Sequence, residues 1–199
     1  MLRLFLETAP IRRSLMSILE TILSRQSIRS YLDKPVPNDI LEKIVEAGQW
    51  APNAGPFQIS VIQNASLQKQ INDQTREAML QSGNPFAKKR VSLPGYQPLY
   101  GAPVLILFSA PADLPPAPFN AALAAENMIL EATSLGLGSC FLLSPTRALD
   151  GNNNLELAHA AGIPEGYRLQ CAMVVGYTAD EKKFRLGDRQ PKGNVKWID

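Results

Sequence analysis

The stretch Asn120–Leu135 is apolar almost all round, and it constrains the fold more than any other part of the chain. A helix with a polar face can lie on a surface, whereas one without must be covered on most sides. This segment therefore predicts a helix central to the core, ended by Gly136 and Gly138. A second run, Pro103–Ser109 (PVLILFS), is nearly all apolar and reads as a buried strand.

The remaining periodic segments fit around these two. Helices are expected over Ser17–Ser24, Asn38–Ala47, Leu67–Leu80 and Leu155–Ala161, and strands over Ile59–Gln63, Cys140–Leu143 and Leu169–Tyr177. Ser17 and Glu20 make an S-x-x-E capping box, so the first secure helix starts there. Asn38 is a candidate cap for the second helix, and Gly48 its end. Gln81–Gly101 holds Gly83, Pro85, Pro94, Gly95, Pro98 and Gly101, and is expected to be a long irregular binding loop or lid. The tail from Thr178 to Asp199 is polar yet carries Trp197, which is expected to pack on something, such as another subunit. The sum is one mixed α+β domain with about four or five strands. Met16 followed by Ser17 marks an alternative start, so residues 1–16 read as an N-terminal extension and residues 17–199 as the domain proper.

Composition narrows the function. With 20 basic against 18 acidic residues the net charge is +2, which argues against a dedicated nucleic-acid or membrane-surface binder. No apolar run is long enough to span a bilayer, and the start makes a poor secretory signal because Arg3 and Glu7 interrupt it. Cys140 and Cys171 sit in apolar strand-like surroundings and read as reduced core thiols of a cytoplasmic protein. His159 is the only histidine. A multi-His metal site is thus out of reach within one chain, and difficult chemistry is expected to belong to a bound cofactor.

The run SRQSIRSYLDKPVP, from Ser24 to Pro37, places Arg25, Ser27 and Arg29 at alternate positions, with Gln26 between. In extended backbone these side chains point the same way. Two guanidinium groups and a hydroxyl then form either a cradle for a phosphate or a solvated basic turn. KKR at 88–90 reads as a solvated run, with a grip on a nucleotide phosphate as the weaker alternative. Phe86, Tyr96 and Tyr100 lie in the Gly/Pro-rich stretch, where they either stack on a flat substrate or anchor the loop.

Five blocks in order carry a resemblance: SRQSIRSYLDKPVP, EAGQWAPNAGPFQ, ENMILEATSLGLGSC, GIPEGYRLQCAMVVGY and DRQPKGNVKW. Together they make the chain similar to the FMN-dependent nitroreductase family from Ser17 to Trp197. The resemblance implies a nitroreductase-like α+β fold, with a central, mostly antiparallel sheet flanked by helices. It also implies a homodimer with a swapped C-terminal tail and two FMN sites between subunits. It assigns Arg25, Ser27 and Arg29 to the FMN phosphate, which carries a charge of about −2 at neutral pH, and Gln26 to the cofactor site. Arg189 returns from the tail to the same phosphate, with Arg185 as the alternative. Pro52, Asn53, Ala54 and Gln58 would lie along the isoalloxazine ring, and backbone N–H groups of Gly136, Leu137 and Gly138 near its reactive side. Two departures stand out. Pro56 replaces a usual asparagine and has no N–H to offer, and Asn120 and Ala122 replace a frequent Asp and Gly, a slighter change that carries little functional weight.

The activity implied is reduction of nitroaromatics, quinones or similar electron-poor acceptors by NADH or NADPH in a ping-pong cycle. Flavin N5, not a side chain, carries the chemistry. The alternatives are another flavin reaction on the same fold (dehalogenation, flavin fragmentation, dehydrogenation) or a non-catalytic flavin-binding or redox-sensing protein. The partners implied are a second copy of the chain and a small-molecule acceptor, with no nucleic acid, no membrane and no metal.

Overall fold

The computed structural model describes residues 17–149, 154–179 and 190–198. The N-terminal extension, Arg185 and Arg189 lie outside the described residues.

The elements follow in the order α1 (Ile18–Ser24), α2 (Asn38–Gln49), β1 (Gln58–Ile62), α3 (Ala65–Gln81), α4 (Pro85–Val91), β2 (Val104–Pro111), α5 (Ala117–Ser134), β3 (Gly138–Leu142), a short 3-10 turn (Ser144–Arg147), α6 (Leu155–Ala160) and β4 (Tyr167–Gly176). The strands form one sheet in the order β1-β2-β4-β3, and every neighbouring pair is antiparallel. The expected α+β class, with an antiparallel sheet flanked by helices, is the one observed.

β2 is apolar throughout because it lies inside the sheet and is covered on both faces. Ile106 and Phe108 point to one face with Met173 and Val175 of β4, and meet Ile44 of α2 and Ala124, Ala125 and Met128 of α5. Leu105 and Leu107 point to the other with Ala172 and Val174, and meet Ile71 of α3, Leu149 and Leu157. A β-bulge falls between Phe108 and Ser109, where β2 turns towards its exit.

α5 covers the first face, as its composition demands. Its alanines let α2 come close, and the closest point is Gly48, where a Cβ would stand 2.6 Å from the Met128 sulfur. Gly48 is therefore inside α2 and not its end, and the cap expected from Asn38 is also absent, since Pro37 holds that position without a side-chain bond. Tertiary packing overrides the helix-ending tendency of glycine here. The outer face of α5 leaves Phe119 (72%) and Leu123 (47%) exposed beside α1, whose Ile18, Leu19, Ile22 and Leu23 are exposed too. Apolar residues all round α5 thus serve two ends, an inner core and an outer face that one chain leaves open. Trp197, at 87% exposed, has no packing site within the described residues.

The capping box forms as expected. Ser17 N–H donates to Glu20 Oε2 at 2.7 Å, and Glu20 N–H to Ser17 Oγ at 3.2 Å. Helix α4 was not expected, since Gln81–Gly101 reads as irregular. Its signal is local: Asn84 caps it by accepting from the Phe86 and Ala87 N–H groups, and Pro85 fills the first turn. Among the described residues no helix is long and apolar enough to cross a membrane.

Candidate active site

The segment after α1 runs along the open edge of β3. Ser27 pairs with Ser139 in a parallel bridge, and Ile28 N–H donates to the Ser139 carbonyl at 2.8 Å. Leu32 N–H then donates to the Tyr177 carbonyl at 2.8 Å. Alternation along this extended stretch buries Ile28, against which a Cβ on Gly138 would clash at 2.9 Å. Ser27 and Arg29 are left exposed on the other side. Arg25 lies 3.9 Å from Glu126, too long for a hydrogen bond, so its donors stay available. Arg29 donates to the Ser27 carbonyl at 3.2 Å and has no carboxylate partner among the described residues. The Ser139 hydroxyl, buried beside this segment, also lacks a hydrogen-bond partner.

Arg29 forms one wall of a cavity of about 620 Å³, within the range of small-molecule and cofactor sites. Helix α4 supplies Phe86, Lys89 and Arg90 to the same cavity, and the following turn supplies Tyr96, Gln97 and Tyr100. The three aromatic residues expected at the substrate thus share a cavity with Arg29 of the expected phosphate segment, while Arg25, Gln26 and Ser27 do not line it. Arg90 donates to the Tyr100 hydroxyl at 2.6 Å and stands 5.5 Å from the Tyr96 ring centre. Arg29 stands 5.9 Å from the Tyr100 ring, and the two tyrosines meet edge to face at 6.1 Å. Tyr100 adopts φ 56°, a left-handed conformation unusual for a residue with a side chain. The ring contacts hold that strained backbone in place. Within KKR at 88–90 Lys88 and Lys89 are both exposed and Arg90 is half-buried, and Lys89 and Arg90 also line the cavity.

The Cys140 thiol reports the same convergence of charge. Burial pushes its pKa up, and Arg29, a hydrogen bond from Ser27, Arg90 and Arg25 pull the other way without reversing it. Burial alone pushes Cys171 up to about 12. Both free thiols are buried, and neither has the activated character of a nucleophile.

The loop before β1 lies elsewhere. Pro52, Asn53, Ala54 and Pro56 are exposed, and Gln58 donates through Nε2 to the Gly162 carbonyl and to Ser60 Oγ at 3.3 Å. β1 and β3 are the two edges of the sheet with two strands between them, a separation of about 14 Å from strand spacing alone. None of these loop residues lines the cavity of Arg29. Asn120, to which sequence reasoning attached little weight, clamps the loop: its Oδ1 accepts from the Ala54 N–H and its Nδ2 donates to the Ala54 carbonyl, both at 3.2 Å. An aspartate there could make only the first bond. Asn120→Ala is expected to destabilise the protein by about 1–2 kcal/mol, because both Ala54 backbone groups lose their partner. Urea unfolding measures the loss, and faster limited proteolysis near Ala54 would locate it.

The turn after α5 is built as a helix cap. Gly136, at φ 78°, closes a Schellman motif in which its N–H donates to the Thr133 carbonyl at 3.0 Å and the Leu137 N–H to the Ala132 carbonyl at 2.8 Å. Leu137 is 1% exposed, and Gly138 pairs with Gly176 in the sheet. The Gly136 and Leu137 amides thus bond to the helix end, and Gly138 lies in the β-ladder. What β3 and its exit do expose are Phe141 and Leu143.

Comparison with known proteins agrees with this fold. The model of the Nitroreductase family matches residues 22–177. A protein of Archaeoglobus fulgidus, provisionally named NADH dehydrogenase/NAD(P)H nitroreductase, is 28% identical over 178 residues, covering 85% of this chain and 90% of its own. A Staphylococcus aureus protein named NADPH-dependent oxidoreductase is 27% identical over 185 residues, covering 87% of this chain and 70% of that protein. The crystal structure of a nitroreductase with bound FMN from Bacteroides fragilis is 27% identical, with a TM-score of 0.79, and the match covers 92% of this chain and 100% of that one.

Proposed function

The chain belongs to the nitroreductase family, and we propose that it is an FMN-dependent oxidoreductase that takes electrons from NADH or NADPH and passes them to electron-poor acceptors such as nitroaromatics and quinones. The observation that carries this reading is the meeting of Arg29 with Phe86, Tyr96 and Tyr100 around one cavity.

The residues fit the cofactor. A phosphate dianion needs paired cations or several donors if it is to leave water. Arg25, Ser27 and Arg29 offer those donors on one short segment, where Arg29 has no carboxylate partner among the described residues and Arg25 meets Glu126 only at 3.9 Å. Gln26 and, from the tail, Arg189 complete the set on this reading. When bound, FMN supplies hydride transfer between a nicotinamide and an acceptor.

The chain's own part is positioning. Tyr96 and Tyr100 offer edges and faces against which a flat molecule can stack. A single aromatic cavity suits two flat substrates that enter in turn, as a ping-pong cycle requires.

The working unit is a homodimer. Pro52, Asn53, Ala54 and Gln58 sit at the opposite edge of the sheet from Arg29, and a second copy brings this loop to the cavity. The outer face of α5, the open face of α1 and Trp197 are the apolar surfaces such a partner would cover.

The test is the visible absorption spectrum of the purified protein before and after anaerobic NADH or NADPH. A flavin spectrum that bleaches is expected. A colourless protein that takes up no added FMN would overturn the reading.

A further inference from the structure

Among the described residues three cations line the cavity, namely Arg29, Lys89 and Arg90, and no carboxylate does. Arg29 belongs to the segment assigned above to the phosphate. Lys89 and Arg90 come from a different element, α4, and the phosphate assignment does not use them. With Phe86 they occupy positions i, i+3 and i+4, so the three share one face of the helix, and that face lines the cavity. Arg90 is held in place by the Tyr100 hydroxyl at 2.6 Å and by the Tyr96 ring. That leaves further guanidinium donors free, since arginine has five. Lys89 has no ion-pair partner among the described residues. Unneutralised cations beside aromatic rings make a surface that recognises a ring and an anion together.

We propose that Lys89 and Arg90 form an anion-recognition wall, which selects aromatic ligands that carry a negative group. This rests on the oxidoreductase reading for what enters the cavity. The anion has two candidate sources, a carboxylated aromatic acceptor or the extra phosphate that distinguishes NADPH from NADH.

Titration of the oxidised FMN-loaded protein separates the sources without turnover. One arm compares para-nitrobenzoate with para-nitrobenzamide, which share a ring and differ in charge. The other compares NADP+ with NAD+. Calorimetry is expected to show the charged member binding about tenfold more tightly in at least one arm, the size of a single charge-assisted contact. High salt and Lys89→Gln should each shrink that preference, and Lys89→Arg should restore it. Preference in the first arm assigns the wall to the acceptor, and in the second to the nicotinamide nucleotide. Equal binding of charged and neutral members in both arms overturns the proposal. So does a preference that survives in both Lys89→Gln and Arg90→Gln. FMN content, read separately from visible absorption, bears on the oxidoreductase reading alone, while the ligand titrations decide this one.

Discussion

Replacing Arg25 or Arg29 by alanine is expected to weaken FMN binding about tenfold each, and replacing both by about a hundredfold or more, since each removes a charge-assisted contact worth roughly 1.5–3 kcal/mol. Release of fluorescent free flavin on dilution measures the loss. The fold should survive, because neither side chain is part of the core. Arg29 is exposed, and Arg25 meets Glu126 at the long distance of 3.9 Å. Wild-type affinity in both single variants would remove the phosphate assignment. A drop in thermal stability without FMN, equal to the drop with it, would mean that these arginines support the fold instead.

The largest effect on stability is expected at Phe108. Its ring is 0% exposed and sits at the centre of β2, opposite Ile59 of β1 and Cys171 of β4. It packs in the core layer under α2 and α5. Phe108→Ala removes a large buried side chain that close-packed neighbours cannot replace, so a loss of about 3–5 kcal/mol is expected. Urea denaturation would show the midpoint falling with little change in slope. A loss below about 1 kcal/mol would mean that α5 settles into the gap, against the rigid packing that the Gly48–Met128 approach implies.

Sequence patterns were most legible where a local interaction decides the outcome. Ser17 and Glu20 cap α1 because three residues of backbone suffice to join them. The alternate spacing of Arg25, Ser27 and Arg29 was equally plain, since extended backbone exposes alternate positions. Helix α4 was within reach too, through Asn84 and Pro85, but the surrounding glycines and prolines masked it.

Other features depend on partners far away in the chain. Gly48 reads as a helix end, yet it stays helical because Met128, 80 residues on, needs its missing Cβ. Gly136 and Leu137 read as a helix cap compatible with a place beside a ligand, and the bonds to Thr133 and Ala132 show how the cap is made. Asn120 shows its role only when α5 is laid against the Ala54 loop. Lys89 and Arg90 looked like surface charge until the helix that carries them was turned towards Arg29 and Tyr100.

By itself the sequence determined the α+β class, the central strand and helix, and the segment that resembles a phosphate cradle. Hydrophobic period, capping and alternate spacing are properties of short stretches of chain, and they survive whatever the rest of the molecule does. Only the tertiary structure decided which cations share a cavity with which rings, and that the Ala54 loop and Arg29 stand at opposite edges of the sheet. Those facts depend on strand order and on helix rotation, which are set by the packing of residues far apart in the chain, 30 to 71 positions for the paired strands.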